Sequence, residues 1–384
     1  MKNIRERYIK NSVKEDLKTR MIFIGGPRQV GKTTFALTFL SDPKGKHSNE
    51  KHRAYLNWDD TLTRAALLKG ELPPNESCII LDEIHKYAKW RGLVKGFYDT
   101  NKSDIAFIIT GSARLDYYSK GGDSLQGRYH YYRLHPFSLR ELNPDPTSTD
   151  LDLLLKFGGF PEPCLRGEEK FWRRWQRERI ARVIYDDIRD LENIKEISLL
   201  EILAEELPNR IGSPLSVKNL KEALSVAHET VERWLQIFER MYYCFRIPPY
   251  GPPKVRAVKK EQKLYLWDWS LINEPGPRFE NFIACHLLKY CHFIEDTEGF
   301  KMELRFLRDT DKREIDFVVL KDNIPLFAVE CKTGEKKINP SIFYFKERTV
   351  IPMFYQVHTG RDDYINNGVR VLPVQALCKE LGIP

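Results

Sequence analysis

The stretch 21–34, MIFIGGPRQVGKTT, sets glycines, a lysine and threonines at a spacing that can grip a triphosphate. Gly26-Pro27-Arg28-Gln29-Val30-Gly31-Lys32-Thr33 satisfies G-x-x-x-x-G-K-[ST], with an apolar strand before it and a helix from Thr34 after it. Glycines let backbone N–H groups turn inward onto phosphate oxygens, and a helix start adds positive potential. Lys32 would reach the β- and γ-phosphates, and the Thr33 hydroxyl would ligate Mg2+. The expected ligand is ATP with Mg2+, cradled by Gly26 through Thr34.

A pair of acids supports that chemistry. Cys78-Ile79-Ile80-Leu81-Asp82-Glu83 is an apolar strand ending in two carboxylates. The strand is expected to lie beside the loop's own strand, which puts Asp82 in the Mg2+ shell and lets Glu83 polarise the attacking water. A carboxylate beyond the metal-binding one suits hydrolysis rather than transfer to a separate substrate. The apolar run 105–110 ends at Thr110, whose hydroxyl could sense the γ-phosphate or hold the water; a plain strand-end residue is the alternative.

A third constellation lies near the carboxyl end. Glu314-Ile315-Asp316-Phe317 precedes Val329-Glu330-Cys331-Lys332, with Lys321-Asp322-Asn323 as the turn between two strands. Alternation along a strand sends Glu330 and Lys332 to one face, and hairpin pairing can bring Asp316 alongside. Asp316 and Glu330 would then hold Mg2+ or Mn2+, while Lys332 orients water or stabilises phosphorane charge. Glu280, on the preceding helix, can complete the cluster. Cys285-His286 and Cys291-His292 are weaker candidates for zinc, because adjacent residues on a helix diverge by about 100°. Core packing is expected for them.

Elements must position these side chains. From Met21 to about Leu142, the short apolar runs 21–24, 54–58, 78–81, 105–110 and 129–134 alternate with helical patterns. That alternation predicts a parallel sheet covered on both faces. Residues 1–20 carry Ile4, Tyr8, Ile9, Val13 and Leu17 at helical spacing. Asn143-Pro144-Asp145-Pro146-Thr147-Ser148-Thr149 reads as a linker. Helices follow to about Leu207, then two more over 217–224 and 228–240 in a helix-turn-helix pattern. The exposed side of the second helix carries Glu229, Glu232, Arg233, Gln236, Glu239 and Arg240, too acidic a mixture for a strong major-groove reader. A structural winged helix is the preferred reading there, with DNA binding as the alternative. The proline- and lysine-rich stretch 250–263 marks the next boundary, and strands are expected at 302–308, 314–320 and 326–332.

Composition sets outer limits. A chain of 384 residues with 42% hydrophobic and 30% charged residues can bury sizeable cores. No run approaches the roughly 18 apolar residues of a membrane span, so no membrane partner is expected. The opening MKNIRERYIK lacks an apolar follow-on and is not expected to be a secretory signal. Seven cysteines without a paired framework suit a reducing, cytoplasmic setting. The net charge of +8 permits nucleic-acid binding without demonstrating it. The basic run KFWRRWQR at 170–177 is read as the polar face of an amphipathic helix with its aromatics in the core.

Taken with LDEIHK at 81–86, ITGSARL at 109–115 and SLQGR at 124–128, the glycine loop resembles that of AAA+ ATPases. GGFPEP at 158–163, YDDIRD at 185–190 and the helix-turn-helix extend the resemblance to a prokaryotic AAA+ family with a C-terminal domain of unknown function. In such assemblies an arginine from one subunit completes the neighbour's site. The resemblance gives that role to Arg128 or, as second choice, Arg114, with a surface role as the alternative. It also leaves open two partners, a ring-forming homo-oligomer or a separate protein. His85 stands where glutamine is commoner in that family. The carboxyl-terminal order of helix glutamate, strand aspartate and E-x-K resembles the PD-(D/E)XK nucleases.

The expected architecture is α/β: a P-loop AAA+ core at 1–145, a helical lid at 146–208, a winged-helix connector at 209–260 and a restriction-endonuclease-like domain at 261–384. The expected function is ATP-driven action on DNA through a metal-dependent nuclease-like domain. The rival is a regulatory ATPase whose C-terminal domain binds DNA or a protein partner without cutting.

Overall fold

A computed structural model describes residues 5–40, 50–111, 125–188, 196–251 and 262–384. Arg114 lies outside the described residues, as do Ile4, Arg189, Asp190 and most of the 250–263 stretch. The chain divides into two units, Met1–Pro136 and Phe137–Pro384.

In the first unit, strands β1 (Met21–Gly25), β2 (Tyr55–Asn57), β3 (Cys78–Asp82), β4 (Ala106–Thr110) and β5 (Tyr129–Arg133) alternate with helices. The helices are α1 (Lys10–Asp16), α2 (Lys32–Leu37), α3 (Thr61–Leu68) and α4 (Trp90–Asn101). All strand pairs are parallel, in the order β2-β3-β4-β1-β5. Met21, Ile22, Phe23 and Ile24 are fully buried, as are Ile79, Ile80 and Leu81. These strands are apolar on both faces because helices cover both, which is why they read as continuous runs rather than alternating ones.

One expectation needs correcting. β3 does not lie beside β1, because β4 sits between them. The register explains why Asp82 still faces the loop: Ile24 pairs with Thr110, and Thr110 pairs with Asp82, so the three strand ends are level.

The second unit opens with helices α5 (Leu139–Leu142), α6 (Ser148–Phe157), α7 (Pro161–Arg166), α8 (Glu169–Arg182) and α9 (Ile197–Glu206). The 143–149 stretch is not a free linker. Thr147 caps α6 by accepting from the Asp150 N–H, and the Asp150 carboxylate accepts in return from the Thr147 N–H. In α8, Trp175 is buried and Arg173 and Arg174 are exposed, so the basic run is a solvated face over an aromatic core.

Helices α10 (Val217–Leu224) and α11 (His228–Arg240) follow, then an antiparallel hairpin of β6 (Cys244–Ile247) and β7 (Lys263–Leu266). Helix-turn-helix plus hairpin is a winged-helix arrangement. Val231, Trp234, Leu235 and Phe238 are all fully buried, as the i, i+3, i+4, i+7 spacing requires. The unit closes on α12 (Pro275–Glu298), β8 (Met302–Arg308), β9 (Glu314–Lys321), β10 (Ile324–Lys332), α13 (Pro340–Lys346), β11 (Phe354–His358), β12 (Tyr364–Asn366), β13 (Val369–Pro373) and α14 (Val374–Glu380). Its six-stranded mixed sheet runs β12-β13-β11-β10-β9-β8. β8, β9 and β10 form an antiparallel meander, while β11 joins β10 in parallel after the α13 crossover. Ile315, Val318, Ala328, Ile342 and Val369 are fully buried in its core.

Candidate nucleotide site and carboxylate cluster

The loop after β1 is shaped by backbone geometry before any side chain acts. Gly26 has φ +129, and a Cβ there would strike the Leu134 carbonyl. Gly31, at φ 91, caps α2 in the left-handed region. Gln29, at φ 61, also lies there, a conformation costing a non-glycine residue about 1 kcal/mol. Lys32 is buried and folds back on the loop, donating to the Gly26 carbonyl at 2.9 Å and the Pro27 carbonyl at 2.7 Å.

Asp82 is the hub of the site. Its Oδ2 accepts from the Thr33 hydroxyl at 2.9 Å and the Tyr55 hydroxyl at 2.7 Å, and its Oδ1 from the Thr110 hydroxyl at 2.5 Å. Every one of these partners is a neutral hydroxyl. Burial, then the Asp82 charge, holds the Tyr55 phenol protonated and well above its usual range, so it remains a donor. Thr33 and Asp82 converge as a metal-binding pair would, and the donor set of one hydroxyl and one carboxylate oxygen fits Mg2+. Thr110 spends its hydroxyl on Asp82 and orients that carboxylate.

Glu83 leaves β3 in the left-handed region at φ 57, its N–H donating to the Thr110 carbonyl at 3.0 Å. Its Oε2 lies 3.4 Å from Lys86 Nζ and 3.7 Å from His85 Nε2. Burial is the main cause that raises the Glu83 carboxyl above its usual value; Lys86 opposes it, Asp82 adds to it, and Lys32 and Arg28 oppose it. A carboxylate held more basic than usual is a better proton acceptor.

Arg128 pairs with Asp99 at 2.8 and 3.1 Å. It precedes β5, and its carbonyl accepts from the Met21 N–H at the opening end of β1. That is the far end of the strands from the glycine loop, so Arg128 has no part in the site of its own chain. Arg7 and Tyr55 were not foreseen from sequence. The buried Arg7 guanidinium donates to the Val30 carbonyl of the loop at 2.8 Å and to the His135 carbonyl. Arg7 is one cation among several in its segment, and nothing in that pattern marks it.

The C-terminal carboxylates also come together. Val329 pairs with Phe317 in the β9–β10 hairpin, bringing Asp316 level with Glu330. Lys332 Nζ donates to Glu330 Oε1 at 2.6 Å, and Asn339 donates to the same oxygen. Asp316 Oδ2 accepts from the Cys331 N–H at 2.9 Å. Between the acids sits an ammonium that the sequence pattern did not flag. Lys263, on β7 and fully buried, lies 2.9 Å from Glu280, 3.3 Å from Asp316 and 2.5 Å from Glu314.

Burial would lower that ammonium; Tyr265 and the carboxylates of Glu280, Asp316 and Glu314 hold it well above its usual value. Burial and then the Asp316 charge push both Glu280 and Glu330 up to about 7. The expected Mg2+ or Mn2+ ligands, Asp316 and Glu330, lie level on the hairpin, with the Lys263 ammonium against Asp316 alone of the two. That ammonium already sets a positive charge among Glu280, Glu314 and Asp316. Cys285, His286 and Cys291 are buried core residues, with Leu139 N–H donating to His286 Nε2 at 3.2 Å.

Comparison with known proteins agrees with this division. The family described as an AAA domain matches residues 18–143. Two domains of unknown function, DUF8612 and DUF4143, match residues 148–275 and 275–377. Fold and family match together support an ATP-binding, AAA-type P-loop domain in the first unit. Two uncharacterized proteins of Methanocaldococcus jannaschii are similar over most of the chain. MJ1544 is 24% identical over 84% of this chain and 78% of its own length, and MJ1637 is 23% identical over 86% and 78%.

Among solved structures, the Aeropyrum pernix ORC1 protein in complex with DNA aligns at a TM-score of 0.34 and 13% identity, over 73% of this chain and 94% of that one. The Bacillus subtilis DNA clamp loader delta protein aligns at 0.29 and 10%, over 60% and 88%. No helix among the described residues is long and apolar enough to cross a membrane.

Proposed function

We propose that this chain binds and hydrolyses ATP in its first unit and uses turnover to set the state of a DNA-facing C-terminal module. The observation that carries the ATPase reading is the hydrogen bond from Thr33 to Asp82, with Glu83 next in the chain. When ATP and Mg2+ are bound, the metal neutralises charge spreading over the γ-phosphoryl group. Thr33 and Asp82 hold it, Lys32 leaves the Gly26 and Pro27 carbonyls for the phosphates, and Glu83 accepts the proton of the attacking water. Thr110 and Tyr55 keep the Asp82 carboxylate aimed. Arg128 would serve a neighbouring subunit's site if copies assemble in a ring. The functional parts on this reading are 1–145, 146–208, 209–260 and 261–384. The test is Glu83→Gln, which is expected to retain ATP binding while losing about a hundredfold or more in turnover. Wild-type turnover in that variant would remove Glu83 from the mechanism.

The DNA reading is supported by the net charge of +8, the winged helix, and the run of α12, three strands, α13 and β11 around Asp316, Glu330 and Lys332. That run resembles the PD-(D/E)XK nucleases, and cleavage with Mg2+ or Mn2+ remains the second reading because those side chains converge. Lys263 favours a module that binds without cutting. Supercoiled and branched DNA with either metal should stay intact under the wild type. Cleavage that Lys332→Ala abolishes would establish the nuclease instead.

A further inference from the structure

We propose, resting on the non-cutting reading of the C-terminal module, that Lys263 is a tethered cation which holds the place of a divalent ion and is delivered there by the wing. Three carboxylates, Glu280, Glu314 and Asp316, approach one ammonium within 2.5 to 3.3 Å. Further donors crowd the same acids, Glu280 and Glu330 each taking two on one oxygen. Tyr265 donates to Glu280 at 2.7 Å, the Cys331 N–H to Asp316, and Lys332 with Asn339 to Glu330. A divalent ion needs several oxygens converging at once, and it would meet a like charge at their centre.

The backbone of Lys263 is also pinned. It opens β7, pairs with Ile247 of β6, and bridges to Pro214 ahead of α10, while the Leu215 N–H donates to the Gln262 carbonyl. The wing strand therefore fixes the backbone from which the ammonium reaches the acids. The winged helix and the carboxylate cluster thus share Lys263, whose ammonium decides whether the cluster can accept a metal.

The test is a Mn2+ titration of the nucleotide-free full chain by calorimetry, with an ATP·Mg2+ titration of the same samples reporting the glycine loop separately. Wild type is expected to show no Mn2+ site that Asp316→Asn removes. Lys263→Ala should gain one, tighter by roughly ten- to a thousandfold, the range one adjacent charge exerts on a carboxylate. Adding Asp316→Asn should abolish that gain. If Lys263→Ala does not fold, Lys263→Gln takes its place, and the wild-type arm still decides.

An Asp316-dependent Mn2+ site in wild type overturns the proposal, as does a folded Lys263 variant that takes up no Mn2+. Such a site without DNA cleavage removes only the role of Lys263. Asp316-dependent cleavage removes the non-cutting reading as well.

Discussion

The nucleotide site and the carboxylate cluster are both built on acids at strand ends, yet they are finished in opposite ways. Asp82 is held by three hydroxyls, from Thr33, Tyr55 and Thr110, which bring no charge. Asp316 and Glu314 are held by the Lys263 ammonium. A carboxylate aligned by neutral donors keeps its charge for an incoming cation. One aligned by a buried cation has that charge matched already. What separates a candidate metal site from a filled one is therefore the charge of the second residue touching the acid, more than the acid itself.

That contrast can be broken from either side. The largest effect is expected at the neutral donors. Thr110→Val leaves a buried Asp82 oxygen without its donor, a loss of about 1–3 kcal/mol. Mg2+-dependent ATP turnover should fall at least tenfold, while the far-ultraviolet circular dichroism is retained. Unchanged turnover would mean that Thr110 is a passive strand end.

A smaller effect is expected in the pH dependence of the cluster, where Glu280 faces Lys263, Tyr265, Asp316 and, through the shared ammonium, Glu314. The folded protein keeps a proton on Glu280 up to about 7, whereas the unfolded chain releases it near the usual 4.5. Between those values the folded state binds more protons, so this group's contribution to stability declines as pH rises and levels off above 7. The wild-type melting temperature minus that of Glu280→Gln should therefore be larger at pH 5 than at pH 8. A gap that widens toward pH 8 would show Lys263 holding Glu280 ionised throughout.

The smallest effect is expected for Tyr55→Phe, which removes one of two donors to Asp82 Oδ2 and leaves Thr33 in place. A two- to fivefold loss in turnover, of order 1 kcal/mol, should appear in steady-state assays. A hundredfold loss would mean that Tyr55 does more than aim Asp82.

Much of this is legible in the amino-acid sequence. The glycine loop, the strands of the first unit, β8 to β10 and both helices of the winged module follow from local pattern, since periodicity reports which face a segment buries; β11 to β13 are not read from it. Asp316, Glu330 and Lys332 could be grouped because hairpin pairing is short-range, whereas Glu280, on a helix, is joined to them only by the nuclease-like order of elements. Strand order was not legible. The placement of β4 between β1 and β3 depends on long-range pairing that no local run encodes, and Asp82 reaches Thr33 only because three strand ends are level. Lys263 was hidden for a similar reason. It lies in a proline- and lysine-rich stretch that reads as a boundary, and its burial among acids from α12 and β9 is a property of packing alone.

The most direct test of the contrast is a count of tightly bound Mn2+ per chain, by electron paramagnetic resonance with saturating ATP. A single ion is expected, abolished by Asp82→Asn and untouched by Asp316→Asn. A second ion that Asp316→Asn removes, or a first that survives Asp82→Asn, would contradict the account.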